Sequence, residues 1–296
     1  MKLTRTRIGQ LLLGAALALL VLPRAASPTV PVEAAPDAQT TLTVFAASSL
    51  TDAFKELGLL FETERNIPVT FNFGASSQLR TQLGQGAPAD VFASADQNQM
   101  QNARADGSIA GADVTFARNR LVVITPRDNP AGIQSAADVA RPGVRFVTAA
   151  PEVPIGVYTQ NMFDKMSQID VFGADFKDRA NANIVSREPN VRQVVAKVQL
   201  GEADAAVVYL TDVTPSSAPD LLTLPIPDDL NTLAAYPIAL VASSAEAELG
   251  QAFIDMVMAP AGQAILEKWN FTPVGPTMLV PAPSADRTAL LVTVAR

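Results

Sequence analysis

Leu42-Thr-Val-Phe-Ala-Ala-Ser-Ser-Leu-Thr-Asp-Ala-Phe54 reads as a strand that runs straight into a helix. Residues 42–46 form a short apolar run rich in strand formers. Ser49 and Asp52 make an S-x-x-D pattern, a capping box in which Asp replaces the usual Glu or Gln. Leu50, Ala53, Phe54, Leu57, Leu60 and Phe61 then recur at helical spacing, and Asn66-Ile-Pro68 stops the helix. Val69, Phe71 and Phe73 alternate with polar residues as in a half-buried strand. Gly74-Ala75-Ser76-Ser77 follows, and Leu79 and Leu83 start another helix. Residues 90–95 read as a strand and 97–105 as a polar helix. The order βαβαβ predicts a parallel sheet with crossover helices.

A second series begins at the strand 121–125, after Arg118-Asn-Arg120. Further strands are expected at 144–148, 205–209, 221–225 and 236–242. Helices are expected at 154–166, from Pro189-Asn190 onward, from a Ser244 cap to Met258, and at 260–269. The tail from Pro273 is Pro-rich, then apolar, and has no assigned place.

Outside this body the N-terminus reads as a targeting segment. Lys2, Arg5 and Arg7 precede an apolar run over 8–22, and Pro23, Arg24, Ala25 and Ala26 follow it. A charged start, a short apolar stretch and small residues fit a secretory signal peptide over 1–26. An uncleaved signal anchor is the alternative, although the run falls short of the ~20 residues that span a bilayer comfortably. Residues 27–40, rich in Pro, Ala and Thr, read as a disordered tether. The protein is thus expected to be exported.

Composition removes several functional classes. The 296 residues carry 22 Lys and Arg against 29 Asp and Glu, and loss of residues 1–26 would leave 18 against 29. That balance argues against nucleic acid as a partner, because a phosphate backbone calls for a basic face. The chain has no Cys, so disulfides, thiolate nucleophiles and lipid attachment at a Cys are excluded. It has no His, which excludes a Ser-His-Asp triad and an ordinary catalytic zinc site. A Ser-dependent enzyme remains only a remote alternative, since Ser49 has no base in its motif. Asp228-Asp229 reads as a solvated loop rather than a metal site.

Several expected helices begin with small or hydroxyl residues just after a strand: Ser48-Ser49, Ser76-Ser77, Pro154-Ile-Gly156 and Asn190-Val191. In a parallel sheet such turns share one edge, where open α/β folds bind ligands. Helix starts present unpaired N–H groups and partial positive charge, which suit an oxyanion without any Lys or Arg. Read singly, Ser49 and Ser76 are equally plain caps, Val191 is plain helix core and Tyr209 is a packed strand-end Tyr.

The segments Thr43-Val-Phe-Ala-Ala-Ser-Ser-Leu-Thr-Asp-Ala-Phe54, Phe73-Gly-Ala-Ser-Ser-Gln-Leu79, Gly86-Ala-Pro-Ala-Asp-Val-Phe-Ala-Ser-Ala-Asp96 and Asn119-Arg-Leu-Val-Val123 together resemble the periplasmic molybdate-binding proteins of ABC transporters. Pro154-Ile-Gly-Val-Tyr158, Asn190-Val-Arg192, Val208-Tyr209 and Tyr236-Pro237 extend the resemblance in order over about 41–272. It implies an α/β fold of the two-lobed periplasmic binding protein type (type II). Each lobe would be a mainly parallel sheet flanked by helices, with two crossover hinge strands. Lobe 1 would be 41–121 and 236–272, lobe 2 would be 122–235, and 273–296 would be an extension of unknown role. Carried over position by position, the resemblance implies that Ser49 and Ser76 donate through hydroxyl and backbone N–H. Ile155 and Val191 would donate backbone N–H, and Tyr209 its hydroxyl. Ser48 would be an extra donor or a packing residue. Ile155 departs from relatives that often carry Ala, so its larger side chain must turn away or shrink the site. The implied function is capture of molybdate, with tungstate, for a membrane ABC permease by a monomer that needs no cofactor and no direct cation ligand. Sulfate, thiosulfate or another small oxyanion on the same fold is the alternative.

Overall fold

A computed structural model describes residues 40–274. The expected signal peptide, the tether up to residue 39 and the tail from residue 275 lie outside the described residues.

The opening strand β1 (Leu42–Ala47) leads through a short 3-10 turn at 48–50 into α1 (Thr51–Arg65). Ala53, Phe54, Leu57 and Phe61 form the buried stripe of α1. Asn66 ends it in the left-handed conformation, with φ 56°. Then come β2 (Val69–Gly74), α2 (Ser76–Gly84), β3 (Val91–Ala93) and α3 (Gln97–Ala105). A long strand β4 (Ile109–Asn119) follows, and after Arg120 the chain enters β5 (Leu121–Pro126). The second half holds β6 (Phe146–Ala149), α4 (Pro154–Ser167), α5 (Phe176–Ala182), β7 (Ile184–Glu188), α6 (Val191–Gln199), β8 (Ala205–Tyr209) and β9 (Leu221–Pro225). It closes with β10 (Ala234–Val241), α7 (Ala247–Met258), α8 (Pro260–Lys268) and β11 (Thr272–Pro273).

These strands form two sheets, ordered β11-β4-β10-β3-β1-β2 and β7-β6-β8-β5-β9. The architecture is the expected two-lobed α/β fold, one sheet to a lobe. Each sheet is more mixed than expected. β1 pairs in parallel with β2 and β3, and β6 with β7 and β8. The other pairings, β10 with β3 and β4, β11 with β4, and β5 with β8 and β9, are antiparallel. Every antiparallel pairing involves a strand that flanks a passage between the sheets (β4, β5, β9 or β10), where no crossover helix sets a parallel direction.

The chain passes from the first sheet to the second at Arg120 and returns through 226–233. The two passages are fastened together. Asn231 accepts from the Leu121 N–H (3.0 Å) and donates to the Leu121 carbonyl (2.9 Å). Arg120 pairs with Asp228, one of the two acidic residues read as a solvated loop. Among the described residues no cluster of acidic side chains is arranged to hold a metal ion.

Phe54, Phe61, Phe71, Phe116 and Phe253 pack edge-to-face and stacked between the first sheet and its helices. Val194, Val195 and Val198 of α6 cover the second sheet, and Phe163 of α4 packs on Phe146 of β6. These cores hold the strand ends, and so the helix starts beyond them, at fixed spacing.

Candidate functional site

Four helix starts meet at one cavity between the two sheets. The cavity is narrow, and its lining includes Ser48, Ser49, Ser76, Ile155, Val191 and Tyr209. All six residues singled out from sequence are therefore brought together, and all are buried. The rest of the lining is Ala47, Gly74, Ala75, Ala95, Val153 and Pro154, with no charged side chain.

Each helix start offers N–H groups that its own helix cannot use. In α4, Pro154 occupies the first position and has no N–H, so Ile155 carries the helix's first donor. In α6, the Asn190 side chain caps the Gln193 N–H (3.1 Å) and leaves the Val191 N–H unused by the cap. In α2, Ser76 is the first helical residue, behind Ala75, which has no capping side chain. Ser48 and Ser49 open the 3-10 turn behind Ala47, which likewise has none.

The expected capping box at Ser49 does not form. Ser49 Oγ lies 2.9 Å from the Tyr236 hydroxyl, and no side chain caps the turn or α1. Asp52, the other half of the pattern, pairs with Arg192 instead. Ser76 Oγ accepts from the Ala95 N–H (2.9 Å), which leaves its hydroxyl hydrogen free to donate elsewhere. Ser244 is not the cap of α7, which starts three residues later; it donates to Asp90 (2.7 Å) and accepts from the Glu246 N–H (3.1 Å).

Tyr209 stands apart. It is 1% exposed, and its hydroxyl has no hydrogen-bond partner. Burial pushes its pKa well above the usual phenol value, so the hydroxyl stays a neutral donor at any physiological pH. A buried unpaired hydroxyl costs about 1–3 kcal/mol and points to a missing partner. The ring is held by edge contacts with Tyr158 (6.2 Å between centroids) and Tyr236 (5.7 Å).

The set of donors thus comprises main-chain N–H groups at helix starts and neutral hydroxyls, with no general base. That arrangement suits an oxygen-rich anion, and the lining holds no group to transfer a proton. Sequence comparison agrees with it: the model of the bacterial extracellular solute-binding protein family matches residues 42–272. The chain belongs to the bacterial extracellular solute-binding protein family. A molybdate-binding protein of Mycobacterium tuberculosis is 37% identical over 248 residues, covering 83% of this chain and 88% of its own length. Among solved structures, the periplasmic molybdate-binding protein of Azotobacter vinelandii superposes with a TM-score of 0.68 at 21% identity. That match covers 79% of this chain and 100% of the other. The sulfate-binding protein SubI of Mycobacterium tuberculosis gives 0.71 at 19%, covering 80% and 88%. At these identities the two structures show the shared fold.

In this solute-binding protein the two halves of the cleft touch. Tyr158 of α4 donates to the Ala95 carbonyl (3.4 Å), and Gln99 of α3 donates to the Glu152 carbonyl (3.2 Å). Arg192 of α6 reaches Asp52 of α1 (2.7 Å) and lies 3.1 Å from Asp212. Asp212 is fully buried, and burial raises its pKa to about 6 against the opposing pull of Arg192. Arg192 is the cation nearest in sequence to a lining residue, and these two carboxylates occupy it. Tyr236, Asn119 and Asp212 are the functional-looking residues that the sequence reading did not single out as site residues. Asn119 and Tyr236 carried one sequence signal, membership of the Asn119-Arg and Tyr236-Pro motifs, and Asp212 carried none.

Proposed function

We propose that this protein captures molybdate, and tungstate with it, between its lobes and hands it to a membrane ABC permease. The observation that carries this reading is the convergence of four helix starts and the hydroxyls of Ser49, Ser76 and Tyr209 on a cavity with no charged lining. Ser49, Ser76, Ile155, Val191 and Tyr209 are the ligand donors, and Ser48 is a further candidate. Lobe 1 is 41–121 with 236–272, lobe 2 is 122–235, and the hinge is the fastened pair of passages at Arg120 and 226–233. The relatives named as molybdate-binding, at up to 37% identity, support this choice of ligand. Residues 1–26 direct export, and the chain, without a Cys, acts as an unlipidated monomer with no nucleic-acid partner.

Selectivity follows from the donors. A fully deprotonated dianion accepts at every oxygen, whereas hydrogen phosphate brings a proton that needs an acceptor. Donors spaced for a large tetrahedral anion leave the smaller sulfate unable to reach them all. The lobes close because only the closed form offers both sets of donors.

A thermal-shift panel of molybdate, tungstate, sulfate, phosphate and chromate tests this reading. A ligand at 100 times its Kd stabilises by about 2.7 kcal/mol. For a chain of this size that corresponds to a rise of roughly 5–10 °C. Molybdate and tungstate are expected to give it. A shift with sulfate alone would transfer the site to sulfate, and no shift with any anion would overturn the reading.

Ser76→Ala is expected to weaken molybdate binding by about tenfold or more, since a hydrogen bond to a charged partner contributes about 1.5–3 kcal/mol. It also strips the buried Ala95 N–H of its acceptor, so the ligand-free protein should lose about 1 kcal/mol of stability. Calorimetry and unfolding report the two losses separately. Unchanged affinity would remove Ser76 from the donor set.

A further inference from the structure

We propose that Tyr236, with Asn119 behind it, is a positioning residue that turns the Ser49 hydroxyl into an obligate donor toward the cavity. The inference rests on the oxyanion reading of the site and adds a pair of residues that do not line the cavity.

The argument is a count of hydrogens. Asn119 Nδ2 donates to Thr211 Oγ1 (2.8 Å) and to the Tyr236 hydroxyl oxygen (3.3 Å). Tyr236 therefore accepts from Asn119, and its single hydrogen is left for Ser49 Oγ, 2.9 Å away. Ser49 receives that hydrogen, so its own must point elsewhere, and Ser49 lines the cavity. Asn119, Tyr236 and Ser49 form a chain of bonds running one way, each polarising the next. All three are buried, so water does not compete for these bonds. Burial also holds the Tyr236 phenol well above its usual pKa, which keeps it protonated.

The other bond of Asn119, to Thr211, crosses from one half to the other. Asn119 ends β4, the last residue before the chain leaves the first sheet, and Thr211 follows β8 of the second. The donor state of Ser49 is thereby tied to contact between the halves.

Tyr236→Phe removes one oxygen and keeps the ring, which packs on Phe116, Tyr209 and Phe271. Ser49 would then be free to rotate and to accept. A double-mutant cycle on the full chain with Ser49→Ala isolates the effect. Tyr236→Phe alone is expected to weaken molybdate binding about fivefold to tenfold. In the Ser49→Ala background its effect should shrink to within about twofold. A second reading is discrimination: the preference for molybdate over phosphate should narrow in Tyr236→Phe, because Ser49 regains the ability to accept. A merely structural Tyr236 gives additive losses and unchanged discrimination, and that result overturns the proposal. Failure of the unmodified chain to bind any oxyanion overturns the ligand reading itself, and the proposal with it.

Discussion

Tyr209→Phe is expected to cut oxyanion affinity about tenfold to a hundredfold while leaving the ligand-free protein as stable as before, or more so. The two halves of this result have one cause. In the closed structure the hydroxyl is buried and has no partner. Removing it relieves a penalty of about 1–3 kcal/mol in the closed form without ligand, costs nothing in an open form where water reaches the hydroxyl, and deletes a bond of about 1.5–3 kcal/mol to an anion in the complex. Most substitutions at a buried aromatic lose stability, so a gain here is a diagnostic sign. Denaturant unfolding without ligand and calorimetry with molybdate check the two halves. Lower stability together with unchanged affinity would mean that the hydroxyl has a structural partner and no role in binding.

Gly156→Ala is the second large effect. A methyl group at this position would sit 2.3 Å from the Ala150 carbonyl oxygen and 2.9 Å from that of Ala149. Both are main-chain atoms at the end of β6, so α4 itself has to move. The Ile155 N–H, immediately before Gly156, moves with it. Affinity is expected to fall about tenfold to a hundredfold through that displaced donor. Stability should fall by about 1–3 kcal/mol through overpacking. Gly262→Ala supplies the control. Its added methyl would meet Met256 and Val257 carbonyl oxygens at 2.2 and 2.6 Å, in the joint between α7 and α8. Gly262 does not line the cavity, so that variant should lose stability and keep its affinity. Equal losses of affinity in both variants would show that Gly156 acts through general destabilisation.

The elements legible from sequence were those whose own residues decide them. α3 and β9 have the bounds that local pattern predicts, and Asn66 stops α1 where the Asn-Ile-Pro signal places it. β4 was missed for a physical reason. Its first half is exposed, Gly111 takes positive φ within it, and its pairing with β10 shifts register twice. The apolar alternation that marks a strand is therefore broken, and its partner lies more than a hundred residues away. β7 was missed as a polar edge strand with little to bury. The six lining residues were legible because small and hydroxyl residues follow strands at matching turns, and because the motifs carried a resemblance. The role of Ser49 was not legible. Locally it reads as a cap, but its partner is Tyr236, 187 positions along the chain. Hydrogen-bond assignments of that kind depend on tertiary contact, and local pattern carries no trace of them.

The proline at the start of α4 has one more consequence. It makes Ile155 a donor through the main chain alone, as Val191 is in α6. At such positions any residue other than proline supplies the same N–H, so the donor outlasts a change of side chain. Side chains at 155 and 191 are limited instead by space, since both are buried in the cavity wall. The converse also holds. A small shift of either helix axis, brought about by repacking far from the cavity, would respace the donors and retune ligand preference without altering a single contact residue. Inheritance of specificity in such a site runs through helix placement more than through residue identity.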